Sequence, residues 1–177
     1  MIGGYIIKNI NVIRFVCVGG MLTALTVLFQ AAPVFLPAIG LVLSPFSTLP
    51  VVIAAASNIL LGVSVLFSSA IILTLVSVQE ALILLFTTGL LGIVMGALIA
   101  RKGLLFSIFF SGLSLFLGMI FLTYIVGVPA FVELASSLST LITLFAFFIF
   151  SLVYASIWNI GLKKFINYLK KIIMEGQ

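Results

Sequence analysis

Glu80 follows Gln79 in the fragment TLVSVQEALILL, residues 74 to 85, and the run from Leu49 to Ala100 carries no other charged residue. A carboxylate in such a run is either a functional group held in apolar surroundings or a mark of where the chain leaves them. The other acidic residues are Glu133 and Glu175. There is no His, no Asp and a single Cys, Cys17. This excludes a His-based triad, an Asp dyad and a metal site ligated by His or several Cys. The remaining route to an activated nucleophile is a Ser with a Lys, and every Lys lies at the edge of an apolar segment. No enzymatic activity, catalytic residue, metal or cofactor is therefore expected.

The elements that must position Glu80 follow from composition. Of 177 residues, 64% are hydrophobic and 6% charged, and mean hydropathy is +1.53. A water-soluble domain of this length carries about 25% charged residues. With no sustained two-residue alternation, a lipid-embedded barrel is excluded and an all-α membrane protein is expected.

The eight basic residues form three clusters: Lys8 with Arg14, Arg101 with Lys102, and Lys163, Lys164, Lys170 and Lys171. Retention of Lys and Arg on the cytoplasmic side puts all three inside, which also explains the net charge of +5 without nucleic acid. A span needs about 20 residues. Residues 15–100 then hold four crossings and residues 103–162 two, a six-transmembrane-helix bundle with both termini cytoplasmic. The expected spans are Phe15 to Ala32, Ala38 to Ala56, Ile59 to Val78, Ala81 to Ala100, Leu104 to Val126 and Leu138 to Ile160. Pro45 and Pro50 make the second the least regular, with a partly unwound or loop-like first half. PVFLP and GVPAFVELASS are expected as outer loops. A secretory leader over residues 1–32 is the rival reading of the N-terminus.

In this map Glu80 lies at the outer turn between spans 3 and 4. Placing it mid-membrane would cost roughly 2.5 to 3.5 kcal/mol and put basic clusters on opposite sides. Glu80, Gln79, Tyr124 and Glu133 form the candidate set for a small cationic or hydrogen-bonding solute; solvated loop carboxylates are the plain alternative. A second candidate is GGMLTALT, residues 19 to 26. Gly20 and Ala24, with Gly19 and Thr23 beside them, let another helix approach closely, either within the bundle or from a partner. Gly89, Gly92, Gly96 and Ala100 form a similar stripe, read as internal packing. Tyr154 and Trp158 read as interfacial anchors. Residues 1–162 make up the six-span domain. Residues 163–177 form a short amphipathic C-terminal helix, cytoplasmic and attracted to anionic lipid.

Three fragments carry a resemblance: GGMLTALTVLF in span 1, LSPFSTLPVVIAAASNILLGVSVLFSSA through spans 2 and 3, and TTGLLGIVMGALIARKG in span 4. The chain resembles the substrate-binding (S) components of energy-coupling factor (ECF) transporters, nearest to YybS-like membrane proteins. The resemblance implies uptake of a vitamin-like micronutrient across a bacterial or archaeal plasma membrane. It implies a coupling transmembrane subunit driven by two ABC ATPases as partners, and no nucleotide site in this chain. In the family a small-residue pair on span 1 contacts the coupling subunit, and Gly20 and Ala24 stand at the matching positions. The stretch from Pro33 to Pro50 would cap the substrate. A non-transporting scaffold and a proton-coupled carrier using Glu80 are the alternatives.

Overall fold

The computed structural model describes residues 2–99, 103–136 and 139–175, with side chains described from Val12 to Lys164 except at a few of these positions. Arg101 and Lys102 lie outside the described residues. Every regular element among the described residues is a helix. Helix α1 runs Ile2–Phe35, α2 Pro37–Leu43, α3 Thr48–Ser57, α4 Ile59–Thr74, α5 Val78–Ile83 and α6 Gly89–Ile99. Then follow α7 Leu104–Phe121, α8 Pro129–Ser136 and α9 Thr140–Glu175. Five stretches are long and apolar enough to cross a membrane: Val12–Phe35, Pro37–Ser57, Val78–Ile99, Leu104–Val126 and Thr140–Lys164. Helix α4, at 16 residues, is the shorter sixth apolar segment.

The breaks have local causes. Leu36 leaves the helical region (φ −133°, ψ 79°) because a residue before proline is pushed out of it, and Pro37 opens α2. Asn58 is extended, and its side chain accepts from the Leu60 N–H at 2.8 Å, starting α4. Ser77 is extended in the same way, and its hydroxyl accepts from the Glu80 N–H at 3.4 Å, starting α5. This ends the third apolar segment at Thr74, four residues before the expected Val78.

Residues 37–57 are helical throughout, with a 3-10 turn over Ser44–Ser47. The expected irregularity is present, but as a tightened helical turn and not as a loop. Pro45 and Pro50 each lack the N–H that would bond back to the preceding turn, and the helix tightens to 3-10 geometry around Pro45. The second expected outer loop is likewise helical over α8. The C-terminal tail is helical in backbone but continuous with α9, so it is no separate element; its side chains from residue 165 lie outside those described.

Packing runs as a chain of neighbours: α1 against α2 and α4, α4 against α3, α3 against α6, α6 against α7, and α7 against α9. One apolar cluster joins Val52, Leu91, Met95, Leu115, Met119 and Phe147. Two smaller ones sit around Leu61 with Val65 and around Leu73 with Leu84. The outer surface is apolar as well: Leu75, Leu105 and Leu141 are about four-fifths exposed or more (87%, 81% and 79%). Such a belt of large side chains is what lipid, not water, accommodates. Tyr154 and Trp158 are half-buried and pack on the first cluster, with Phe46 edge-on to Trp158 at 5.7 Å.

Close approach of α6 to α3 depends on the glycine stripe. A methyl group on Gly96 would lie 2.6 Å from the Val52 carbonyl oxygen, and one on Gly92 would lie 3.1 Å from Val51 Cβ. Gly89, Gly92 and Gly96 therefore serve internal packing, and Ala100, the fourth residue of the expected stripe, lies outside the described residues. Across α7 and α9, buried Asn159 donates to Ser111 Oγ (3.1 Å) and to the Ala155 carbonyl (2.8 Å), and accepts from Ser107 Oγ (2.5 Å). This clamp satisfies every polar atom of the amide in an apolar seam.

Replacing Gly96 with Val should lower the unfolding midpoint in detergent, a loss of about 1–3 kcal/mol by overpacking. Gly20→Ala, where nothing lies within 4 Å of the added carbon, should leave the midpoint unchanged or raise it. Scanning fluorimetry of both variants checks the contrast.

Candidate functional site

Glu80 occupies the third position of α5, where a carboxylate is favoured by the helix N-terminus. It does not fold back to its own cap. Its Oε2 accepts from Gln30 Nε2 of α1 at 2.8 Å, across 50 residues of sequence. Gln30 is fully buried, and its Oε1 accepts from Ser47 Oγ at 2.7 Å and from Thr88 Oγ1 at 3.3 Å. An ionised carboxylate only accepts, which matches the amide nitrogen facing Glu80 and its oxygen facing the two hydroxyls. Four pieces of backbone are thereby joined: α1, the 3-10 turn, α5 and the π-helical stretch Leu84–Thr88. Single π turns inside helices recur at functional sites, because they re-aim side chains.

Glu80 also lines a cavity of about 340 Å³ between α1, α2, the 3-10 turn, α5, α7 and α9. Its walls are Pro33, Leu41, Pro45, Ile83, Leu115, Met119 and Phe150, and its polar groups are Glu80, Ser44, Thr87, Thr88 and Tyr154. A half-open cavity of a few hundred Å³, with Leu41 and Phe150 exposed at its rim and a few polar groups among apolar walls, has the build of a small-molecule site. The hydroxyls of Thr87 and Thr88 are already engaged, with the Ile83 carbonyl and with Gln30. Tyr154 Oη and the neighbouring Thr48 Oγ1 are buried, and neither has a hydrogen-bond partner. The Thr48 hydroxyl and the Trp158 indole lie near Tyr154 Oη, but neither meets hydrogen-bond geometry. Among the described residues no ion pair reaches Glu80, and no group of three metal-ligating side chains forms.

Of the four residues expected to bind solute, only Glu80 lines this cavity. Its neighbour Gln79 is exposed on another side of α5. Tyr124 is half exposed in the π-helical stretch Leu122–Val126, and Glu133 is exposed on α8. The residues missed are Gln30, Ser47, Thr88 and Tyr154. A signal for the first existed: Gln30 is the only amide side chain between residues 15 and 56, the same anomaly that singles out Glu80.

The second candidate set is brought together. Gly19, Gly20, Thr23 and Ala24 line a groove of about 400 Å³ between α1 and α4, completed by Phe15, Leu61, Ser64, Val65, Ser68 and others. The four split by role. Gly19 faces Leu61, whose Cδ1 would be 3.2 Å from an added methyl, and Thr23 is buried. Gly20 and Ala24 are exposed, and Gly20 has open space where a side chain would stand. Among the described residues, no other helix fills the space at the small pair.

Gln30→Leu and Glu80→Leu should each destabilise the protein, but their effects should not add. The double variant should recover about 1–3 kcal/mol relative to the sum, because no buried partner is left unsatisfied. A thermal-unfolding cycle in detergent measures it, and additivity within about 0.5 kcal/mol would deny the contact any energetic role.

Compared with known proteins, no family model, no curated protein and no solved structure matches this chain, so its function rests on the geometry just described.

Proposed function

We propose that the chain is the membrane-embedded solute-binding component of a multi-subunit ECF-type uptake transporter for a small micronutrient. The observation that carries the reading is the presence of two separate concave features in one small bundle. One is an apolar cavity with a carboxylate on its wall, and the other is a groove floored by small residues. Capture needs the first and docking on a coupling subunit needs the second. A scaffold needs the groove alone and gives no reason for the cavity.

The proposal includes six crossings of a bacterial or archaeal plasma membrane with both termini cytoplasmic. Helix α4, about 24 Å long at 1.5 Å per residue, is short for a bilayer core of about 30 Å. Apolar, exposed Leu75 and Val76 extend the segment at its end, and their N–H groups bond to the Ile72 and Leu73 carbonyls. With α4 counted, every basic cluster falls inside, and Glu80 and Glu133 fall outside. The solute enters the Glu80 cavity from the outer face. The Gly20 and Ala24 face docks on the coupling subunit, and ATP hydrolysis on the ATPases drives release inside.

Extraction in mild detergent from the source membrane should co-isolate a coupling membrane subunit with two ATPases. Gly20→Phe combined with Ala24→Phe should reduce that recovery at least about tenfold, the equivalent of 1.4 kcal/mol or more. Gly161→Phe, a bulky change at another open helical glycine, should not. Undiminished recovery with the double variant would remove the docking role from this face.

A further inference from the structure

We propose that the Glu80 cavity selects a small organic cation: a protonated amine on an apolar body. The inference deepens the uptake reading and depends on it only for the fate of the ligand.

Two observations, on charge and on wall chemistry, lead to the ligand. First, the Glu80 carboxylate has one described hydrogen-bond donor, Gln30, and no described cation. Gln30 orients the carboxylate and supplies no charge, so a negative group is left facing a cavity whose walls are hydrocarbon. Charge held that way is worth most to a ligand that brings the opposite sign, and it repels carboxylates and phosphates. Secondly, the walls offer Leu41, Pro45, Leu115, Met119 and Phe150, which favour an aliphatic or aromatic body over a sugar-like one. Thr87 and Thr88 are taken by protein partners, and Tyr154 Oη is closed off beside Thr48 and Trp158, so Glu80 and Ser44 are the polar groups that a ligand would meet.

The test uses the detergent-purified full chain and three probes of one shape: 2-phenylethylamine, 2-phenylethanol and 3-phenylpropanoate. Isothermal titration should show the amine binding at least about tenfold more tightly than the alcohol, with no binding of the carboxylate. Glu80→Gln should bring amine and alcohol within about threefold of each other. Its unfolding midpoint establishes that the variant remains folded. Equal binding of alcohol and amine, binding of the carboxylate, absence of amine binding, or an amine preference that survives Glu80→Gln in a folded variant would each overturn the assignment. Amine selectivity without co-isolated ATPases would sink the uptake reading and leave the ligand class standing; the reverse result would sink the ligand class alone.

Discussion

The hydrogen bond from Gln30 to Glu80 is the contact on which the site depends. A carboxylate among apolar helices needs a donor, and the donor here is an amide fully buried in α1. That amide in turn needs donors for its own oxygen, which Ser47 and Thr88 supply. One acidic side chain thus recruits a polar residue from each of three other backbone segments. The irregular backbone falls where these partners are delivered. The 3-10 turn carries Ser47, and the π-helical stretch carries Thr87 and Thr88. A regular helix through either stretch would rotate those hydroxyls relative to the amide.

Small residues play opposite parts on two helices. On α6, Gly92 and Gly96 are filled by α3, whose Val51 side chain and Val52 carbonyl stand where methyl groups would be. On α1, Gly20 and Ala24 face a groove instead. Dispersion across close backbones is what such faces provide in lipid, where the hydrophobic effect does not drive helices together. A face left open at this spacing is an unused contact, which is why it supports docking better than the stripe that resembles it in sequence.

The helical class and the apolar segments were legible because composition and run length determine them directly. The position of Leu36 before Pro37 and the cap residues Asn58 and Ser77 also mark real boundaries. Glu80 could be singled out because one charge in a long apolar run is costly anywhere. Its partners were not legible. Ser47 and Thr88 are ordinary small hydroxyls whose value comes from meeting Gln30 across distances of 17 and 58 residues. Tyr154 reads as an anchor from its place near a segment end, and its packing against Trp158 and the core depends on neighbours distant in sequence. The two glycine patterns could not be separated either, since occupancy of a small face depends on which neighbour arrives.

The central claim is that the Glu80 carboxylate faces a cavity on the side of the membrane opposite the basic clusters. The most direct test replaces native, exposed Cys17 with Ala and introduces Glu80→Cys or Lys102→Cys one at a time. Intact cells are then treated with a membrane-impermeant thiol reagent. The account predicts modification at position 80 in intact cells and at position 102 only after the cells are opened. A thiol at position 80 that reacts only after opening would contradict it.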